Sequence, residues 1–198
     1  TRDYPRALDY FPRHLRLERS LLAHLANKPD DFSGALRRLP RNVLLLFVHA
    51  FQSDLFNRLL SARLSEGPLE LEEGEYFCGE ALGFPDTGKT EAEGWICGKL
   101  IGYSTPLNAR EKALMEELGI EKEAFRMKAL PEISSKGSYR TLLAPLRGFE
   151  VSCSDVPCSD VPGSAAQCFE SCIFRFSLPS GSYATVAMRE FMDGKGRL

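Results

Sequence analysis

The sequence has no uninterrupted apolar run near the roughly 20 residues that a bilayer-spanning helix needs. Its richest stretch, 43–50, is far shorter, so no membrane association is expected. A signal-peptide pattern is also missing, because Thr1, Arg2, Asp3, Tyr4 and Pro5 are charged and proline-bearing. There is no initiator Met, which leads to the expectation of a piece cut from a longer polypeptide. No CxxC pair, the usual spacing of zinc ligands, occurs. Neither sign of charge dominates: 25 Lys and Arg stand against 27 Asp and Glu, for a net charge of −2, so the whole molecule is not a polycation. What is present is ordinary for a globular protein. Over 198 residues, 43% hydrophobic and 26% charged exclude collagen-like, coiled-coil and disordered classes. The length suits one domain or two small ones.

The charges are unevenly placed. Residues 1–42 hold nine basic against five acidic side chains, and residues 66–93 hold nine acidic against Lys89 alone. From Lys136 to Arg147 there are three basic residues and no acid. Such asymmetry permits a basic face that holds phosphates, since the local field matters more than the total. A merely solvated surface produces the same pattern.

Six cysteines are present: Cys78, Cys97, Cys153, Cys158, Cys168 and Cys172. A chain this long builds a core without disulfide staples. Cys153 and Cys158 each open a copy of the duplicated Cys-Ser-Asp-Val-Pro, which reads as a lengthened loop rather than a metal site. Cys168 and Cys172 fall on one face of a strand pattern and read as small buried apolar residues.

Hydrophobic spacing predicts a helix over 12–26, with Pro12 at its first position, and a short turn over 32–39 stopped by Pro40. Residues 43–64 are the strongest helix, free of Gly and Pro and followed by Gly67 and Pro68. Most of its circumference is apolar, which predicts burial all round. A narrow polar stripe, His49, Gln52, Ser53 and Asn57, either braces neighbouring loops or lines a polar cleft. Asp54 and Arg58 are spaced as a helix-bracing pair. Strands are expected over 75–78, 95–103, 139–143, 149–152 and 168–176, a loop over 153–166, and a final helix over 183–192. Asn108 with Glu111 forms a capping-box pattern before a third helix, and Gly119 follows its end. The elements interleave without a βαβ rhythm, so the fold class is α+β.

Residues 83–90 match GxxxxGK[ST] with Gly83, Gly88, Lys89 and Thr90. A P-loop needs a buried strand before it and a helix after it. Here Glu91, Glu93 and Gly94 lead straight into a strand pattern, and neighbouring carboxylates repel a triphosphate. No nucleotide cofactor is expected.

Three segments carry a resemblance. The first, 47–63, contains Phe47, His49, Gln52, Ser53, Phe56, Asn57, Ser61 and Arg63. The second, 134–140, contains Ser134, Lys136, Gly137 and Arg140. The third, 176–191, contains Phe176, Leu178, Pro179, Gly181, Tyr183, Ala184, Thr185, Arg189, Glu190 and Phe191. In this order they resemble the TruD family of tRNA pseudouridine synthases, most closely its archaeal members. The opening segment with Ala7, Leu8, Phe11 and Pro12, and Glu18 with Arg19, agrees with that likeness.

The resemblance implies a cytoplasmic isomerase of uridine to pseudouridine in tRNA, typically at position 13, with no cofactor and no metal. It implies a pseudouridine-synthase core, a mixed sheet with helices, interrupted by a family-specific insertion domain. On that pattern residues 1–143 are the insertion domain and 144–198 the C-terminal return to the core. The family's catalytic aspartate, and an Asn-Phe-Gly-type motif shaping the pocket, belong upstream of everything in this sequence. No catalytic residue is therefore assigned here. The expected partners are tRNA and the missing N-terminal part of the same protein.

The residues that remain have expected roles. Lys136 and Arg140, in a Gly-containing segment free of acids, are candidate phosphate contacts. Gln52, Ser53 and Asn57 either hydrogen-bond RNA or knit domains together. Phe176, Leu178, Gly181, Tyr183 and Thr185 are candidate floor and wall of the pocket. Arg189 and Glu190 either pair with core groups or form an ordinary salt bridge. The alternative to an enzyme fragment is a non-catalytic RNA-binding or assembly module of the same fold.

Overall fold

The computed structural model describes residues 2–79, 94–155, 169–179 and 182–192. Six α-helices are described: α1 (Tyr4–Tyr10), α2 (Arg16–Asn27), α3 (Phe32–Leu36), α4 (Arg41–Glu66), α5 (Ala109–Glu117) and α6 (Ala184–Met192), with two short 3-10 turns over Lys122–Phe125 and Pro131–Ile133. Five strands accompany them: β1 (Tyr76–Cys78), β2 (Trp95–Leu100), β3 (Ser138–Thr141), β4 (Arg147–Asp155) and β5 (Phe169–Ser177). The fold is α+β. In a three-stranded sheet β2 lies between β1 and β3, while β4 and β5 form a separate antiparallel pair. The chain divides into two compact units, one of Thr1–Tyr76 with Cys97–Arg140 and one of Phe77–Ile96 with Thr141–Leu198.

The first unit is built on α4. Leu44, Val48 and Leu55 recur at helical spacing and are buried with Leu39, Ile101, Met115, Phe125, Leu130 and Ile133. The same unit also holds buried ion pairs. Arg63 Nη1 meets Glu75 Oε1 at 2.6 Å with both side chains buried, and Lys99 Nζ meets Glu111 Oε2 at 2.8 Å, also buried. Lys99 also donates to the carbonyls of Glu73 and Pro106. Burying ions costs several kcal/mol each unless the remaining hydrogen-bonding capacity is met. Here no buried side-chain nitrogen or oxygen among the described residues lacks a partner. The capping box of α5 forms as read: Asn108 Oδ1 accepts from Glu111 N, and Glu111 Oε2 accepts from Asn108 N.

Several expectations change. The helix expected over 12–26 is α2, which begins only at Arg16, so Pro12 lies in the connection before it, and a further helix, α1, precedes that connection. Asp3 caps α1 by accepting from Arg6 N, with Pro5 near its start. Arg19 of α2 donates to the carbonyls of Leu8 and Phe11, satisfying the end of α1. That long-range cap has no local sequence signal. The helix over 43–64 is not buried all round. Leu46 and Phe47 are 64% and 62% exposed, and Phe51 and Leu64 are also open, because one unit can cover only one side of a helix. Asp54 and Arg58 do pair, at 2.9 Å. As a helix rather than an unbroken run, α4 is long and apolar enough to cross a membrane by length and composition. In this fold it carries the buried Gln52 and the ion-paired Arg63.

The cysteine reading changes too. β4 runs on through Cys153, and Cys172 of β5 sits opposite it in register, Cα to Cα 4.1 Å, joined by a disulfide. Both are exposed, so Cys172 is not a small buried apolar residue. Cross-strand register brings the two Cβ atoms within bonding reach, something spacing along the chain does not reveal. Cys158, Cys168, the GxxxxGK[ST] match at 83–90 and the tail 193–198 lie outside the described residues.

Candidate functional site

The first set of candidate residues lies in the first unit. Gln52 faces inward from α4. Its Nε2 donates to the Ile101 carbonyl at 2.7 Å and to Ser135 Oγ at 2.9 Å. A buried amide must spend its donors in this way, and here it fastens two loops of the same unit to the helix. Those loops, 101–105 and 134–137, are joined again by Tyr103 N to Ser135 O at 3.0 Å and Ser104 N to Lys136 O at 3.2 Å. Two glycines permit the approach. A Cβ on Gly102 would stand 2.1 Å from Gly137 N, and one on Gly137 would stand 2.2 Å from Thr105 Oγ1. Gly137 also has φ +94°, a conformation that suits glycine.

Lys136 is presented on this clamped loop with its side chain exposed. Arg140 leaves the same segment on β3, half-buried, its guanidinium carbon 5.6 Å from the centre of the Phe56 ring. Such stacking orients a cation while leaving its edge donors available. Ser53 is half-buried, and Asn57 and His49 are exposed on α4. The sequence reading missed Arg126, which stacks over Tyr103 at 4.5 Å on the 101–105 loop. A cation and a ring 23 positions apart give no sequence signal. Beside Arg140, burial raises the pKa of the Tyr139 hydroxyl, helped by Tyr76, whose ring meets it edge-on at 5.3 Å.

The second set lies in the second unit. Alternation along β5 puts Phe174 and Phe176 on one face. Phe149 of β4 lies 6.3 Å from each of them and 5.2 Å from Phe191 of α6, and Phe174 also lies 5.2 Å from Phe191. Offset rings at these separations add to the gain from burial. Phe176 and Leu178 are half-buried, whereas Thr185 and Arg189 are exposed and Tyr183 is 65% exposed. The Tyr183 carbonyl accepts from Val186 N and Ala187 N, opening α6. Gly181 and the side chain of Glu190 lie outside the described residues. Thus β5 and α6 gather Phe176, Leu178, Tyr183, Thr185 and Arg189 within one unit. Lys136, Arg140, Gln52, Ser53 and Asn57 are gathered in the other. Among the described residues no group of three His, Cys, Asp or Glu side chains is placed to hold a metal ion.

Comparison with known proteins bears on both sets. The family model described as tRNA pseudouridine synthase D (TruD) matches residues 1–191. A probable tRNA pseudouridine synthase D of Methanosarcina barkeri is 33% identical over 97% of this chain and 48% of its own length. The tRNA pseudouridine synthase D of Geobacter sulfurreducens is 33% identical over 98% of this chain and 47% of its own. A crystal structure of a protein assigned as tRNA pseudouridine synthase D from Methanosarcina mazei superposes with a TM-score of 0.77 at 32% identity. It covers 97% of this chain and 48% of that one. The chain therefore spans about half the length of the curated relatives it matches. With a mixed helix-and-sheet fold shared at this identity across nearly its whole length, the chain belongs to the TruD family of tRNA pseudouridine synthases.

Proposed function

We propose that this chain is part of a cytoplasmic enzyme that isomerises uridine to pseudouridine in tRNA, at position 13 in the family pattern. The observation that carries the reading is the match over 97% of this chain to relatives twice as long. In this reading residues 1–143 are the insertion domain and 144–198 the C-terminal return of the catalytic core. The reactive aspartate comes from polypeptide outside these 198 residues, so the chain alone does not turn over.

The reaction breaks the bond between uracil N1 and the ribose, turns the base, and rejoins it through carbon. The base must leave its stack to be reached. That calls for an apolar floor, hydrogen-bond donors for the base, and a carboxylate beside the sugar. Phe176 and Leu178 form the floor, Gly181, Tyr183 and Thr185 the wall, and Arg189 and Glu190 orient neighbouring groups. Open apolar side chains on the second unit support this assignment, since Tyr183, Val186, Phe191 and Met192 are all exposed and invite cover by further polypeptide. Lys136 and Arg140 contact the RNA backbone, where cations supply most of the affinity. Ser53 and Asn57 add neutral hydrogen bonds, and Gln52 supports the loop carrying Lys136.

The test is chemical mapping of pseudouridine in an unmodified tRNA transcript. The longer protein containing this chain converts the uridine and the 198-residue chain does not. Turnover by the chain alone would mean that the reactive carboxylate lies within it. No conversion by the longer protein would favour a non-catalytic RNA-binding module.

A further inference from the structure

The β4–β5 pair holds a feature that the uridine chemistry does not use. Cys153 and Cys172 face each other in register, their Cα atoms 4.1 Å apart and their sulfurs bonded. That short spacing belongs to non-hydrogen-bonded positions, where opposed side chains stand nearest. Both cysteines are exposed. By alternation Cys172 shares a face with Phe174 and Phe176, and Val151, opposite Phe174, shares that face with Cys153.

This pairing needs fixing. Among the described residues β4 and β5 form a two-stranded sheet, and two-stranded ribbons are marginal alone. The register is irregular on both sides of the cysteines, between Arg147 and Glu150 and between Ser154 and Asp155. A slip by one residue would turn Phe174 and Phe176 to the opposite face, away from Phe149 and Phe191. A covalent link at Cys153 and Cys172 forbids that slip.

We propose that Cys153 and Cys172 form a reversible thiol–disulfide modification site that pins the β4–β5 register and so holds the aromatic face of the second unit. The oxidant is a small-molecule disulfide such as oxidised glutathione. One cysteine thiolate attacks it, expelling one glutathione thiolate and forming a mixed disulfide. The other cysteine thiolate attacks the protein-side sulfur and expels the second glutathione thiolate. Two protein thiols are oxidised, one glutathione disulfide is reduced to two thiols, and the two cysteine protons end on the glutathiones. Excess glutathione reverses both exchanges, and exposure of both cysteines gives it access. Cys78 and Cys97 are buried, which shields them from the same exchange. This inference holds whether or not the protein acts on uridine.

The experiment equilibrates the purified protein in oxidised or reduced glutathione, maps alkylated peptides, and follows hydrogen exchange over 147–155 and 169–177. A reversible Cys153–Cys172 cross-link is expected. Its closed loop predicts exchange in these strands on the order of a hundredfold slower when oxidised. Cys153→Ser should exchange at the fast rate in both buffers. The oxidised and reduced wild-type comparison needs no variant to fold. Cross-linking of Cys153 to Cys158 or Cys168 instead, no cross-link at any glutathione ratio, or equal exchange in both states would overturn the proposal.

Discussion

In the first unit Arg63 and Glu75 meet at 2.6 Å inside the fold, and Lys99 holds Glu111 and two carbonyls without reaching solvent. In the second unit large apolar side chains stand open, namely Ile173, Tyr183, Val186 and Met192, the last 76% exposed, beside the exposed ion pair of Arg175 and Glu150. The first unit has satisfied its buried charges from its own chain, which requires every partner to be present. Its open apolar surface includes a strip of α4 around Leu46 and Phe47. The second clusters four phenylalanines yet leaves much of its apolar surface uncovered. Both units leave large apolar side chains open, Tyr10 and Phe32 of the first among them, and buried ion pairs are what set the first apart. The proposed completion by further polypeptide would cover the open apolar face of the second unit.

The sharpest way to break the comparison is to remove one buried charge. Arg63→Ala leaves Glu75 buried and unpaired, and should destabilise the first unit by about 3–5 kcal/mol, read from denaturant unfolding. Phe149→Ala in the second unit should cost only about 1–2 kcal/mol, because the ring is already 41% exposed. Equal costs would mean that the two units are equally closed.

Acid sharpens the comparison further. His24, through a hydrogen bond to its carboxylate, and Gly34 N hold Asp31 below the usual carboxylate range. Arg110 does the same for Glu66 with two hydrogen bonds of 2.6 and 2.7 Å. Its own backbone N–H, then Arg37, lowers Glu132. A lowered value in the folded state means that the unfolded chain takes up protons first. The stabilisation is therefore complete above the usual carboxylate range and is lost as the pH falls through that range to the folded values. All three groups lie in the first unit. Segment-resolved hydrogen exchange at falling pH should show the first unit loosening over that window more than the second.

Arg140→Ala is the mildest change. Tested in the longer protein, it should weaken tRNA binding several-fold and reduce the steepness of the salt dependence by about 1. An unchanged slope would leave Arg140 with only its place over Phe56.

Much of this was legible in the sequence, and the exceptions have a common cause. The capping box of Asn108 and Glu111, the i,i+4 pair of Asp54 and Arg58, and the strand alternation of β5 are local patterns, and each stands where the spacing put it. Arg19 capping α1, Gln52 fastening two loops, Arg126 stacking on Tyr103 and Cys172 opposing Cys153 join residues far apart in sequence. Local periodicity carries no information about such partners. The burial of α4 was overestimated for a related reason. An apolar circumference shows what a helix is able to bury, while the number of neighbours decides what it does bury. Lys136 and Arg140 stood out through an acid-free stretch, but their support by the Gly102 and Gly137 contact required the fold.

The central claim, that the second unit is closed by further polypeptide of the same protein, is tested most directly by hydroxyl-radical footprinting. The comparison is between the 198-residue chain and the longer protein that contains it. The account predicts that Tyr183, Phe191 and Met192 lose several-fold in reactivity in the longer protein, while the core residues Leu55 and Met115 of the first unit stay unreactive in both. Equal labelling of Tyr183, Phe191 and Met192 in the two forms would contradict it.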